Sequence, residues 1–167
     1  MNGFEVKAPR SKWTVVCRKA DGSIRWTEKF ENLVTDEGIN DLLAVYFKGA
    51  AYTAAWYVGL INGGGAFVGT DTMAAHPGWT ENINYAAAGR PSLVLGAVGN
   101  KSVDNTAAQA NFTINVASQT IAGAFLATNS VKNGVLGKLY AEAAFGSGNK
   151  VAEIGDVLTV SVTLTGA

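Results

Sequence analysis

Strict alternation of apolar and polar residues is the feature that most limits what this chain can become. Ala110, Phe112, Ile114 and Val116 alternate with Asn111, Thr113 and Asn115. Leu139, Ala141, Ala143 and Phe145 alternate with Lys138, Tyr140 and Glu142, and Leu158, Val160, Val162 and Leu164 with Thr159, Ser161, Thr163 and Thr165. Neighbouring side chains of an extended strand point to opposite faces, so a period of two means one face in a core. Residues 93–98 and 121–127 read as further strands, and polar or glycine-bearing turns over 99–105, at Ser118, over 129–134 and at Gly155-Asp156 separate the runs.

The first half adds a hairpin and one helix. Residues 13–19 and 24–30 read as strands, and the Asp21-Gly22 between them is a strong hairpin signal. Residues 55–61 are apolar on both faces, which predicts a central strand. Ile39, Leu42, Leu43, Tyr46 and Phe47 recur at helical spacing, predicting one short α-helix near residues 35–48 whose apolar stripe lies on the sandwich. Thr35 is its expected N-cap, Asp36 and Glu37 suit the positive end of the helix dipole, and Lys48-Gly49 close it.

The expected fold is mainly β: about eight antiparallel strands in a two-sheet, jelly-roll-like sandwich with that one helix. The strands at 110–116, 137–145 and 158–164 are expected to share one core. An extended arm is expected over residues 1–12 and a single domain over 13–167, a length ample for a core of its own. Residues 62–90 break the strand rhythm, and long connections of this kind often carry function.

Chemistry-bearing residues are sparse. The lone Cys17 lies mid-strand, where a thiol behaves as a small buried apolar group. The lone His76 precedes Pro77-Gly78, so a turn with its imidazole on the backbone is preferred to a general base oriented by Asp71 or Glu81. Gly63-Gly64-Gly65 follows a strand but is continued by Ala66-Phe67-Val68, without the lysine of a phosphate loop. The expectation is a protein that is not an enzyme and takes no cofactor and no metal.

Composition points to association instead. Charged residues make up 16% of the chain and hydrophobic ones 48%, which is too few charges to wet the surface of a small monomer. Part of that surface is therefore expected to be covered, in a dimer or trimer of the chain or against another protein. The formal net charge is zero, and no apolar run approaches the ~20 residues of a membrane-spanning helix, so neither nucleic acid nor a membrane is the expected partner. The segments without core periodicity supply the candidate contacts: Phe4, Lys7, Pro9 and Arg10 in the arm, His76 and Trp79 in the long connection. The four tryptophans, Trp13, Trp26, Trp56 and Trp79, also raise a sugar-stacking platform as an alternative.

Several stretches carry a resemblance. Asn32-Leu33-Val34-Thr35-Asp36-Glu37-Gly38 runs into the helix, and Trp56-Tyr57-Val58-Gly59-Leu60 follows on a strand. Gly78-Trp79-Thr80-Glu81, Ile121-Ala122-Gly123-Ala124-Phe125-Leu126, Gly137-Lys138-Leu139-Tyr140-Ala141 and Gly155-Asp156 come later. Together, over roughly residues 24–165, they resemble small virion proteins of tailed bacteriophages, most of all capsid decoration (cement) proteins. The resemblance implies a structural protein made in the bacterial host cytoplasm, placed on the outer surface of the head and bound to the major capsid protein and to its own copies. It brings no catalytic residue, and a tail or neck component is the alternative it leaves open. The first residues, which hold no apolar run of signal-peptide length, fit the same expectation.

Overall fold

A computed structural model describes residues 9–52, 55–64 and 66–166. Among them are twelve strands and one helix. The strands are β1 (Arg10–Arg18), β2 (Ile24–Glu31), β3 (Leu33–Val34), β4 (Tyr57–Gly64), β5 (Trp79–Asn82), β6 (Ser102–Asp104), β7 (Ala110–Thr113), β8 (Gln119–Ile121), β9 (Gly123–Ala127), β10 (Leu139–Ala144), β11 (Lys150–Ala152) and β12 (Val157–Thr165); the helix α1 spans Asp36–Lys48. The chain is mainly β, and its antiparallel sheets are consistent with a two-sheet sandwich. The surplus over eight strands comes from short pieces such as β3, β8 and β11, whose two or three residues are too few to show a period.

The first sheet runs β2-β1-β12-β6, with β7 pairing β12 as well. β1 and β12 pair along their whole lengths, and the register sets Trp13 against Val162, Val15 against Val160 and Cys17 against Leu158. All six side chains are buried in the main core, where Phe112 and Ile114 join them. β1 and β2 close through the expected hairpin: Gly22 takes the left-handed φ of +84° and its N–H reaches the Lys19 carbonyl at 2.9 Å. β1 starts at Arg10, so the last three residues assigned to an arm belong to the sheet instead. Ser11 is fully buried, its hydroxyl accepts from the Trp13 indole N–H at 2.6 Å, and its backbone N–H donates to Asn32 Oδ1 at 2.9 Å. These bonds anchor the start of the strand.

β6 and β7 lie in tandem along one side of β12, which leaves a gap in the ladder between them. The buried Asn105 fills it. Its side chain donates to the Val160 carbonyl at 3.2 Å and accepts from the Val162 N–H at 2.7 Å, standing in for a missing stretch of strand.

The second sheet runs β3-β10-β9-β4-β5 and is covered on both faces. Ala124 and Leu126 of β9 face the main core, while Phe125 and Ala127 face a second, smaller core with Ile61, Met73, Trp79 and Leu139. The Phe125 ring lies against Gly59 of β4, where any Cβ would collide with it. The second core is built by the long irregular connection, which lies over this face. It follows that β10 is not half-solvated as its alternation predicts: Glu142 on its polar side is fully buried, as is Trp79 beside it at 3% exposure. Val116 also departs from expectation, being 45% exposed beyond the end of β7.

Two substitutions test this arrangement. Phe112→Ala should cost about 3–5 kcal/mol in chemical denaturation, the range for emptying a packed aromatic site. Asn105→Ala should cost about 1–3 kcal/mol by stranding the Val162 N–H without an acceptor. A near-neutral Asn105→Ala would mean that water or a shifted backbone replaces the side chain.

Candidate functional site

The helix is fastened at one end and uncovered at the other. Thr35 caps it, accepting from the Gly38 N–H at 3.1 Å, and its hydroxyl donates to the Leu139 carbonyl at 2.5 Å. Glu37 accepts from the Leu139 N–H at 2.7 Å, and the Asp36 N–H reaches the Gly69 carbonyl at 2.7 Å. Gly38 is the one buried helical residue, because a side chain there would strike the Tyr140 backbone. At the far end Gly49 adopts the left-handed cap, with φ of +65°.

This anchoring rotates the helix away from the orientation its stripe predicts. Gly38, Asp41, Leu42 and Val45 face the sandwich and roof a partly open slot of about 190 Å³ over Trp56, Leu126 and Tyr140. Leu43, Tyr46 and Phe47 point outward instead, Tyr46 77% and Phe47 74% exposed, with their rings in edge-on contact at 5.0 Å. The stripe was legible, but its direction was not, since Gly38 and not a large apolar residue decides which side docks. Burying a side chain of this size gains ~1.5–3 kcal/mol, so several left in water form a surface that association stabilises.

A second groove continues from the first, sharing Leu42, Tyr140 and Leu164 with it and lined further by Pro9 and Val98. Pro9 therefore belongs to the same surface. Arg10 stands exposed at the head of β1 opposite Thr165. Phe4 and Lys7 lie outside the described residues.

Of the two expected contacts in the long connection, Trp79 is buried and His76 half-buried. Trp79 is inside the second core: its indole N–H donates to Glu142 at 2.6 Å and its ring packs on Phe125 at 4.9 Å, so it is not a surface anchor. His76 is half-buried, stacked on the Trp79 ring at 3.8 Å, with Nδ1 3.2 Å from the Trp79 carbonyl oxygen. The Trp79 N–H returns to the His76 carbonyl at 3.3 Å, closing the turn expected of His76-Pro77-Gly78. Asp71 and Glu81 do not converge on the imidazole. Asp71 is buried against Glu142, and Glu81 holds Arg90 through two bonds of 2.8 Å.

Cys17 is equally occupied. Its thiol lies 3.6 Å from Asp156 Oδ2 in the main core. Burial first, then the Asp156 charge, pushes it up to about 12, so it carries a proton at neutral pH. Asp156 in turn takes the Arg25 guanidinium at 2.6 and 3.2 Å and accepts from the Glu153 N–H at 2.9 Å. Among the described residues no three His, Cys, Asp or Glu side chains are grouped to hold a metal ion, and no helix is long and apolar enough to cross a membrane. What the arrangement offers is a binding surface of aromatic and aliphatic groups around α1.

Compared with known proteins, the chain matches no family model and no curated sequence.

Cys17 provides a check on this picture. A protonated, buried thiol should resist iodoacetamide at neutral pH in the native protein and react fully in denaturant, as read by intact mass. Rapid native labelling would contradict both its burial and its proton.

Proposed function

We propose that the chain is a non-enzymatic structural protein of a tailed-phage virion, one that sits on the outer surface of the head, associates with its own copies and bridges neighbouring subunits of the major capsid protein. The observation that carries this reading is the uncovered surface around α1, where Tyr46 and Phe47 stand beside an apolar slot. Knob and hole on one surface suit a two-fold pairing, in which each copy inserts what the other receives. Apolar cavities of roughly 150 Å³ already accept a benzene ring. The slot, at about 190 Å³, has room for one aromatic side chain.

Bridging needs contacts beyond this pairing. Val131, Val135 and Leu136 form a further exposed apolar group in the connection from β9 to β10, remote in sequence from α1. Phe4 and Lys7 precede Pro9 at the edge of the helix surface and are proposed to reach the capsid subunit. Many weak clamps repeated by symmetry resist the opening of a shell through avidity, with no need for tight binding by each copy. A sugar platform has less support, because Trp13 and Trp79 are buried and Trp26 and Trp56 half-buried.

Replacing Leu43, Tyr46 and Phe47 together with serine tests the reading. Exposed positions each change stability by about 0.5 kcal/mol or less, so the variant should melt like the parent. Light scattering at micromolar concentration should show the parent as an oligomer and the variant as a 17.3 kDa monomer. Binding to purified tailless heads should weaken at least about tenfold, or ~1.4 kcal/mol. Deleting residues 2–8, which stops short of the buried Ser11, should also weaken head binding while leaving melting unchanged. A parent that is monomeric and ignores heads defeats the proposal, and recovery at low copy number in isolated tails moves it to a tail component.

A further inference from the structure

We propose that the connection over residues 66–78 is latched to β10 by one proton shared between the carboxyl groups of Asp71 and Glu142, and that loss of this proton at alkaline pH releases the connection.

Both side chains are essentially without solvent, Asp71 at 2% and Glu142 at 0% exposure. The Asp71 carboxyl is near enough to Glu142 to act on it both as a like charge and as a side-chain neighbour. Two carboxylates are both acceptors and cannot bond to each other, and among the described residues Asp71 Oδ2 and Glu142 Oε1 are buried oxygens without a hydrogen-bond partner. A single proton placed between them satisfies both. The remaining Glu142 oxygen, Oε2, already accepts the Trp79 indole N–H at 2.6 Å, so the shared proton completes the carboxyl group's bonding.

The surroundings hold that proton in place. Burial pushes the Glu142 carboxyl up to about 8; the Trp79 N–H opposes the rise and the Asp71 carboxyl adds to it. Among the described residues neither acid has an ion-pair partner. The other charged groups on the elements packed here are engaged or anionic. On β5, Glu81 is neutralised by Arg90; on α1, Glu37 faces Lys138 at 3.7 Å and Asp36 lies over Gly69; on the connection itself, the His76 ring rests on Trp79. β3 and β9 contribute none. Among the described residues no cation pairs with either acid: Arg90, 5.0 Å over the Phe125 ring, is committed to Glu81. Ionising both acids forces like charges together in an apolar site, and swinging the connection outward lets Asp71 hydrate. The same movement uncovers Met73, Trp79 and Phe125 in the second core.

The sign follows from linkage. An unfolded glutamate loses its proton near 4.5, whereas the closed site keeps it to about 8. The closed form binds more protons across that interval, so its advantage is complete at the acid end and declines as pH rises through the upper value.

The test uses the full chain. The ¹⁵N–¹H resonance of the Trp79 indole should titrate with a midpoint near 8. Amide exchange in residues 66–78, corrected for intrinsic chemistry, should speed up by as much as about a hundredfold between about pH 6 and about pH 8 and then level off, while β12 stays unchanged. Glu142→Gln donates to Asp71 and accepts from Trp79 without ionising, so it should remove both effects. Asp71→Asn, the independent variant, should move the midpoint down toward the ordinary carboxyl range. A flat wild-type indole signal overturns the latch, as does titration without faster exchange, persistence of both effects in Glu142→Gln, or an unmoved midpoint in Asp71→Asn.

Discussion

The ladder between β1 and β12 is the constraint on which the remaining structure depends. Its register runs without interruption from Arg10 opposite Thr165 to Arg18 opposite Val157. Because side chains alternate, that register sends Trp13, Val15, Cys17, Leu158, Val160 and Val162 to one face together, and a slip of one residue would send all of them to the other. β12 also carries β6 and β7 on its second side, so three strands pair with it directly and β2 follows through β1. The second sheet packs on the face that this register sets.

Charge is used sparingly, and much of it is spent inside. Glu81–Arg90 and Asp156–Arg25 hold connections in place, and Glu28 of β2 reaches Lys150 of β11 at 3.0 Å. Removing one partner from a buried pair such as Glu81–Arg90 strands the other, which is why such pairs tolerate little change. Each charge committed this way is one fewer to wet the exterior. Low overall charge and the uncovered helix surface are thus two sides of one allocation, with the outward Tyr46 and Phe47 left open by the described residues.

How much could be read beforehand depended on whether a signal was local. The Asp21-Gly22 turn, the Thr35 cap, the Gly49 cap and the alternation of β12 each rest on neighbouring residues, and each stands in the structure. Glu142 and Trp79 could not be placed the same way. Alternation marks a polar face but not what lies over it, and the cover here is an irregular connection with no period to detect. The helix direction failed for a related reason: it is set by the close approach of Gly38 to Tyr140, a contact that spans most of the chain. Trp79 was expected at the surface because irregular backbone was taken as exposed, whereas Met73 and Trp79 make the long connection part of a core.

The pairing of β1 with β12 has a consequence for biosynthesis. β12 is made after all the other described strands, and until it emerges β1, β6 and β7 lack the neighbour that fixes their edges. At roughly 5–20 residues per second, the nascent chain spends many seconds with its apolar strand faces open to water. Contacts this distant in sequence also form slowly once the chain is complete. The decisive pairing therefore waits for β12, and the apolar faces of the earlier strands stay open to water until that strand is made.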